Sequence, residues 1–183
     1  MTAMPSPELK EALLAAVPSL RAFGISLCGN IDRADDLVQD TLVRALAHLD
    51  SFQEGTNLNA WLFTILRNLF HSEYRKRRRE VEDVDGIYSS RLASQPDQPS
   101  RLDFSDLRIA LNKLPADQRE ALLLVGASGF SYEEAAEICG CAVGTIKSRV
   151  NRARVRLSSI LAVEHPDELG PDGKLRAALQ AAS

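Results

Sequence analysis

Lys147, Ser148, Asn151 and Arg152 recur at helical spacing near the end of a 183-residue chain, and their side chains carry the hydrogen-bonding chemistry of base recognition. Lysine and arginine suit the acceptor edge of guanine, asparagine suits adenine, and serine suits either. Ile146, Val150, Ala153 and Leu157 follow one another at steps of four, three and four residues. One helix beginning near Val143 therefore has an apolar stripe on one side and these polar residues on the other. Arg149, Arg154 and Arg156 flank the polar face and have the chemistry to hold phosphates. Upstream, Ser131 and Glu134 stand at capping-box spacing before a short helix carrying Ala135, Ala136 and Ile138 inward, and Gly140 permits the tight backbone that ends it. A short helix, a glycine-containing turn and a basic second helix make a helix-turn-helix built for a DNA groove. An amphipathic helix with a merely solvated basic face is the plain alternative, which the capped helix and turn disfavour.

A second cationic group lies far upstream. Arg67 and the run Arg75, Lys76, Arg77, Arg78 and Arg79 stand among Phe52, Trp61, Phe63, Phe70 and Tyr74, beside Asn68 and a polar loop Thr56, Asn57, Leu58 and Asn59. Aromatics near cations suit single-stranded nucleic acid, where bases stack and phosphates pair. Packing is the stronger explanation for Trp61, Phe63 and Phe70, whose spacing is loosely helical. The formal net charge is −3, so positive charge is concentrated in two patches of an acidic chain, which restrains non-specific binding to polyanions.

The elements that must position these groups are helical throughout. Residues 8–80 read as one helical domain, with Pro18 marking a break or restart, Asp32 and Asp35 opening the next helix, a loop over 50–59, and a long helix resuming at Ala60 or Trp61. Residues 81–102 lose periodicity and read as a Ser/Pro/Gln linker, able to span on the order of 70 Å when extended. Residues 103–161 form a second helical domain, and 162–183 a poorly ordered tail. The fold class is all-α, as two small helical domains.

Cys28, Cys139 and Cys141 read as reduced, buried thiols rather than a disulfide framework or zinc site. His48, His71 and His165 read as structural or surface residues. Asp35, Asp36 and Asp40 share a helix without a histidine or metal-ligand companion, so no catalytic constellation, metal site or cofactor is expected. No apolar run reads as a membrane span, and no signal peptide is apparent, which points to the cytoplasm.

Three segments, Asp35 to Ala45, Trp61 to Asn68 and Gly144 to Arg154, resemble group 4, extracytoplasmic-function bacterial sigma factors, in the family's order around a linker. The segments at 27–30 and 139–145 further resemble the EcfG-type general-stress-response subfamily of alphaproteobacteria. The resemblance covers residues 8–80 and 103–160. It implies a subunit that directs core RNA polymerase to stress-response promoters, with the first domain as region 2 and the second as region 4. The implied −35 reader is Thr145, Lys147, Ser148, Arg149, Asn151, Arg152, Arg154 and Arg156. The implied −10 reader, which helps melt DNA and holds a flipped base, is Thr56, Asn57, Leu58, Asn59, Trp61, Arg67, Asn68, Tyr74, Arg75 and Lys76. Asp35, Asp36, Gln39, Asp40 and Arg44 are implied to dock on core polymerase, whose β and β′ subunits are the expected partners. A small NepR-like anti-sigma factor is also implied.

Two other readings fit part of the chain. A sigma mimic of a partner-switching pathway would carry a receiver domain, and no alternating strand-helix pattern follows residue 160. A dimeric helix-turn-helix repressor or activator would leave the basic and polar residues of 56–79 without a role.

Overall fold

Ser6 opens the first helix by accepting a hydrogen bond from the Leu9 amide at 3.2 Å, and Pro7 follows at the first helical position, where its missing N–H costs nothing. In this computed structural model, which describes residues 6–53, 55–82 and 102–161, that helix is α1, Pro7–Cys28. It does not break at Pro18, contrary to the sequence expectation. Leu13, Ala16, Leu20, Phe23 and Leu27 are buried along one side, and this packing outweighs the lost backbone bond. The carbonyl that Pro18 leaves without a helical donor belongs to the exposed Leu14, where water can serve it. Nor is the chain free of a long apolar run. By length and composition α1 would suffice to cross a membrane, but its apolar side faces the core of a helical domain.

Gly29 ends α1 at φ 67°, and Asn30 at once caps α2, Ile31–Ala47, by accepting from the Arg33 amide. The two helices can approach closely because Gly24 has no side chain. A Cβ placed there would lie 3.4 Å from that of Ala34, which is wholly buried. Arg21 and Asp35 close the same pair of helices with a 2.6 Å ion pair. Thr41 is buried in α2 and satisfied by donating to the Leu37 carbonyl at 2.7 Å.

A single 3₁₀ turn at Leu49–Ser51 leads into the polar loop, and α3 then spans Leu58–Glu82. It begins two residues before Ala60 because the Asn57 carbonyl oxygen accepts from the Ala60 amide at 3.2 Å. Leu62, Phe63 and Leu66 place α3 in the core beside α1 and α2.

The second domain comprises α4, Leu102–Asn112; α5, Ala116–Gly126; α6, Tyr132–Cys139; and α7, Val143–Leu161. The described residues contain helices and no strands. Ser131 and Glu134 form the complete capping box of α6, with bonds of 3.0 and 2.9 Å. Gly140 closes α6 at φ 63°, while its amide reaches the Glu137 carbonyl and that of Cys141 reaches Ala136. This Schellman arrangement satisfies the last carbonyls and turns the chain into α7. The sequence 83–101, most of the expected linker, and the expected tail at 162–183 lie outside the described residues.

The two domains share one apolar core. Phe63 of α3 meets Phe130, in the loop before α6, edge-on at 4.9 Å, and both are buried. Phe23 lies against the other side of Phe63 at 5.0 Å.

Gly24 gives a direct test of the α1–α2 approach. Gly24→Val should destabilise the protein by about 1–3 kcal/mol through overpacking, while Gly24→Ala should cost much less. Urea unfolding followed by circular dichroism measures both; equal stability of wild type and Gly24→Val would show that the helices are not fixed by this contact.

Candidate nucleic-acid interface

The rotation of α7 is fixed by four buried side chains, Ile146, Val150, Ala153 and Leu157, each at most 1% exposed. Lys147, Asn151, Arg152 and Arg156 are consequently exposed on the outside, with Thr145 and Ser148 half-buried at its edge. The Lys147 ammonium lies 5.7 Å from the centre of the Tyr132 ring, so α6 orients it through a cation–π contact. Arg149 and Arg154 are less free than their spacing alone indicates. Arg149 forms a 3.2 Å ion pair with Asp117 of α5, and Arg154 is half-buried, its Nε enclosed without a hydrogen-bond partner.

The residues singled out on the first domain divide in the same way. Asn59, Asn68, Tyr74, Arg75 and Lys76 are exposed along α3, and Thr56 is exposed with its hydroxyl donating to the Gln53 carbonyl. Leu58 is half-buried against the core. Trp61 is half-buried and its ring lies 5.2 Å from that of Phe52; Tyr74 stacks on Phe70 at 6.4 Å. Phe63 is core, as packing predicts, whereas Phe70 is only partly buried.

Asn57 and Arg67 are already engaged by the second domain. The Asn57 amide donates to Glu134 Oε1 at 2.6 Å. Arg67 Nε lies 2.7 Å from Glu120 Oε1 with its N–H off the line, so the hydrogen bond is the one donated by Nη2 to Oε2 at 3.2 Å. His71 Nε2 lies 3.3 Å from Glu120 Oε1. Glu120 is 2% exposed. Burial alone would push its carboxyl up, but the His71 and Arg67 contacts outweigh that and hold it below its ordinary value.

On α2, Asp36, Gln39, Asp40 and Arg44 are exposed. Asp36, Gln39 and Asp40 line a polar groove of about 290 Å³ with Arg33, Glu73 and Arg77. Asp35 turns away from them to pair with Arg21, which gives it a part in holding α1 against α2.

Residues 14–80 match the family model for Sigma-70 region 2, and residues 105–157 match Sigma-70, region 4. The ECF RNA polymerase sigma factor EcfG of Rhodopseudomonas palustris (strain TIE-1) is 70% identical over 171 residues, 93% of this chain and 94% of that protein. The chain belongs to the extracytoplasmic-function sigma factors. Its fold agrees with two solved members. The sigma factor RpoE of Bartonella quintana, in complex with the anti-sigma factor NepR, is 59% identical and superposes with a TM-score of 0.80, covering 87% of this chain and all of that one. CnrH, in complex with the cytosolic domain of CnrY, is 31% identical with a TM-score of 0.59, covering 86% of this chain and 88% of that one. This sigma factor therefore directs RNA polymerase to promoters and initiates transcription, its region 2 being the α1–α3 domain and its region 4 the α4–α7 domain.

Sequence reasoning passed over Glu120, Glu134 as a partner of region 2, and Asp117. A lone acid at the start of the apolar run Ala121–Val125 was the one available signal for Glu120. His71, read as structural or surface, supports that acid. In the sigma factor's thiols, burial pushes Cys139 up to about 12, and nearby Glu120 adds to the effect. Cys139 and Cys141 are both free, and among the described residues no group of metal-ligating side chains is assembled.

Two titrations follow for the sigma factor. Because the folded-state pKa of Glu120 is depressed, its contribution to stability is fully present above the ordinary value of 4.5 and is lost as pH falls through the lower folded value. The stability difference between wild type and Glu120→Gln, measured by chemical denaturation, should thus be constant near neutrality and shrink below that value; a difference that grows on acidification would contradict the pairing. Cys139 in the native protein should resist iodoacetamide at pH 8 and react after unfolding, as read by peptide mass spectrometry. Rapid native alkylation would contradict its burial.

Proposed function

We propose that this sigma factor reads the −35 element with the exposed face of α7 and the −10 element with α3 and its preceding loop. The observation that carries the reading is the exposed set Lys147, Asn151 and Arg152 on a helix whose opposite stripe is buried. A face fixed in rotation and free of apolar contacts fits the major groove, with Ser148 and Thr145 at its margin. Arg156 serves as a phosphate contact. Arg149 and Arg154 act mainly in holding α7 in place, with their charge adding to phosphate attraction.

Region 2 presents Asn68, Tyr74, Arg75 and Lys76 along one exposed helix, with Thr56, Asn57, Leu58, Asn59, Trp61 and Arg67 at its head. Such a surface suits an unpaired strand, in which a base leaves the stack at a cost of a few kcal/mol and is repaid by edge and face contacts. The exposed Asp36, Gln39, Asp40 and Arg44 of α2 serve as the polymerase-facing surface. Bond-making then belongs to the polymerase, and this chain is a non-enzymatic, cytoplasmic subunit without metal or cofactor.

The likeness to EcfG and to RpoE bound to NepR supports a role in the general stress response under a small NepR-like anti-sigma factor. Reconstituted transcription with core polymerase on a promoter library tests the central reading. Arg152→Ala should cost about 1–3 kcal/mol and relax preference at one or two −35 base pairs. Arg156→Ala should weaken all promoters evenly and lower the salt slope by about 1. An even loss for Arg152→Ala would reduce that residue to electrostatic positioning.

The polymerase surface is tested separately. Asp36→Lys combined with Asp40→Lys should weaken capture by core polymerase while leaving the helical circular-dichroism spectrum unchanged. Unaltered capture by the folded variant would remove α2 from that role.

A further inference from the structure

We propose that region 4 closes over the −10-reading surface of region 2 and occupies it with carboxylates, so that the sigma factor must open before it can hold a single strand. The inference rests on the assignment of that surface under the proposed function. It starts from Glu120, a carboxylate with almost no exposure whose contacts Arg67 and His71 both belong to the other domain. A buried carboxylate is tolerable only when paired, and here the partner is a guanidinium otherwise suited to a DNA phosphate.

A second contact repeats the substitution. Asn57, at the head of α3, donates its amide to Glu134 Oε1 at 2.6 Å, spending a donor that would otherwise face a base or phosphate. Glu134 is held for this by the capping box, since its other oxygen accepts from the Ser131 amide at 2.9 Å. Between the two polar contacts, Phe63 and Phe130 meet at 4.9 Å and exclude water. Two donors and the intervening apolar ground are thus covered at once. Asn68, Tyr74, Arg75 and Lys76 remain exposed, so closure removes the head of the surface and leaves its tail.

A single strand and region 4 cannot both use the Arg67 guanidinium and the Asn57 amide. Binding is then reduced by the fraction of molecules that are open, so a protein open one time in ten binds about tenfold more weakly than its open form. Polymerase that holds the domains apart would lift the restraint and the DNA contact together.

The test uses the full chain as wild type, Glu120→Gln and Glu120→Lys, each first checked for helix content by circular dichroism. Small-angle scattering measures the radius of gyration, and fluorescence anisotropy measures binding of a labelled single strand carrying a −10 element selected by promoter-library transcription. Both variants should expand the molecule and bind the strand about tenfold more tightly than wild type, Glu120→Lys at least as strongly as Glu120→Gln. An unchanged radius in the folded variants would overturn closure by Glu120. An expanded molecule with wild-type affinity would overturn occlusion. Arg67→Ala in the reconstituted holoenzyme separates the two readings: promoter opening equal to wild type would remove Arg67 from the −10 role and overturn occlusion through the function, with the radius still reporting closure by itself.

Discussion

Glu120 sits where a carboxylate loses nearly all its water, and the contact that offsets this comes from a different domain. The cost of stripping a charge is several kcal/mol, so the position is tenable only while Arg67 and His71 stay in place. Much of the arrangement follows from that requirement. α5 must face α3, the Phe130 loop must lie on Phe63, and Glu134 then falls within reach of Asn57. An apolar contact by itself would tolerate sliding, whereas an ion pair flanked by an aromatic contact sets both distance and register.

Region 4 is arranged around a different constraint, the depth of one stripe. Ile146, Val150, Ala153 and Leu157 leave α7 a single rotation, and the outward residues are determined by that choice. The Schellman turn at Gly140 sets the angle between α6 and α7, and Asp117 and Tyr132 then restrain Arg149 and Lys147 from neighbouring helices. Cations of one helix therefore do different things. Those tied inward hold the reader, and those left exposed are available to DNA.

Pro18 and the polar loop mark where local rules and packing disagree. Proline inside a helix is unfavourable by about 3 kcal/mol, yet α1 runs through it because five apolar side chains on one side are buried. The same apolar content lets α1 meet the length and composition of a membrane span, though its burial against α2 and α3 gives that content another use. At the loop, Asn57 starts α3 early through its own side chain, a local effect that composition obscures because asparagine serves turns and caps alike.

Local chemistry was legible in the residues themselves. The Ser131–Glu134 capping box, the left-handed Gly140 and the four-three-four stripe of α7 depend on neighbours within a few positions, and each forms as its spacing requires. The helical class and the sigma-like motifs are equally local, being patterns along single helices. What tertiary structure alone decided is which polar groups remain free. Asp35, Arg149, Asn57 and Arg67 all read as exposed functional groups, and each meets a partner 14 to 77 residues away or on another helix. No periodicity encodes such pairs, because a charge on a helix surface looks the same whether its neighbour is water or an opposite charge brought up by packing.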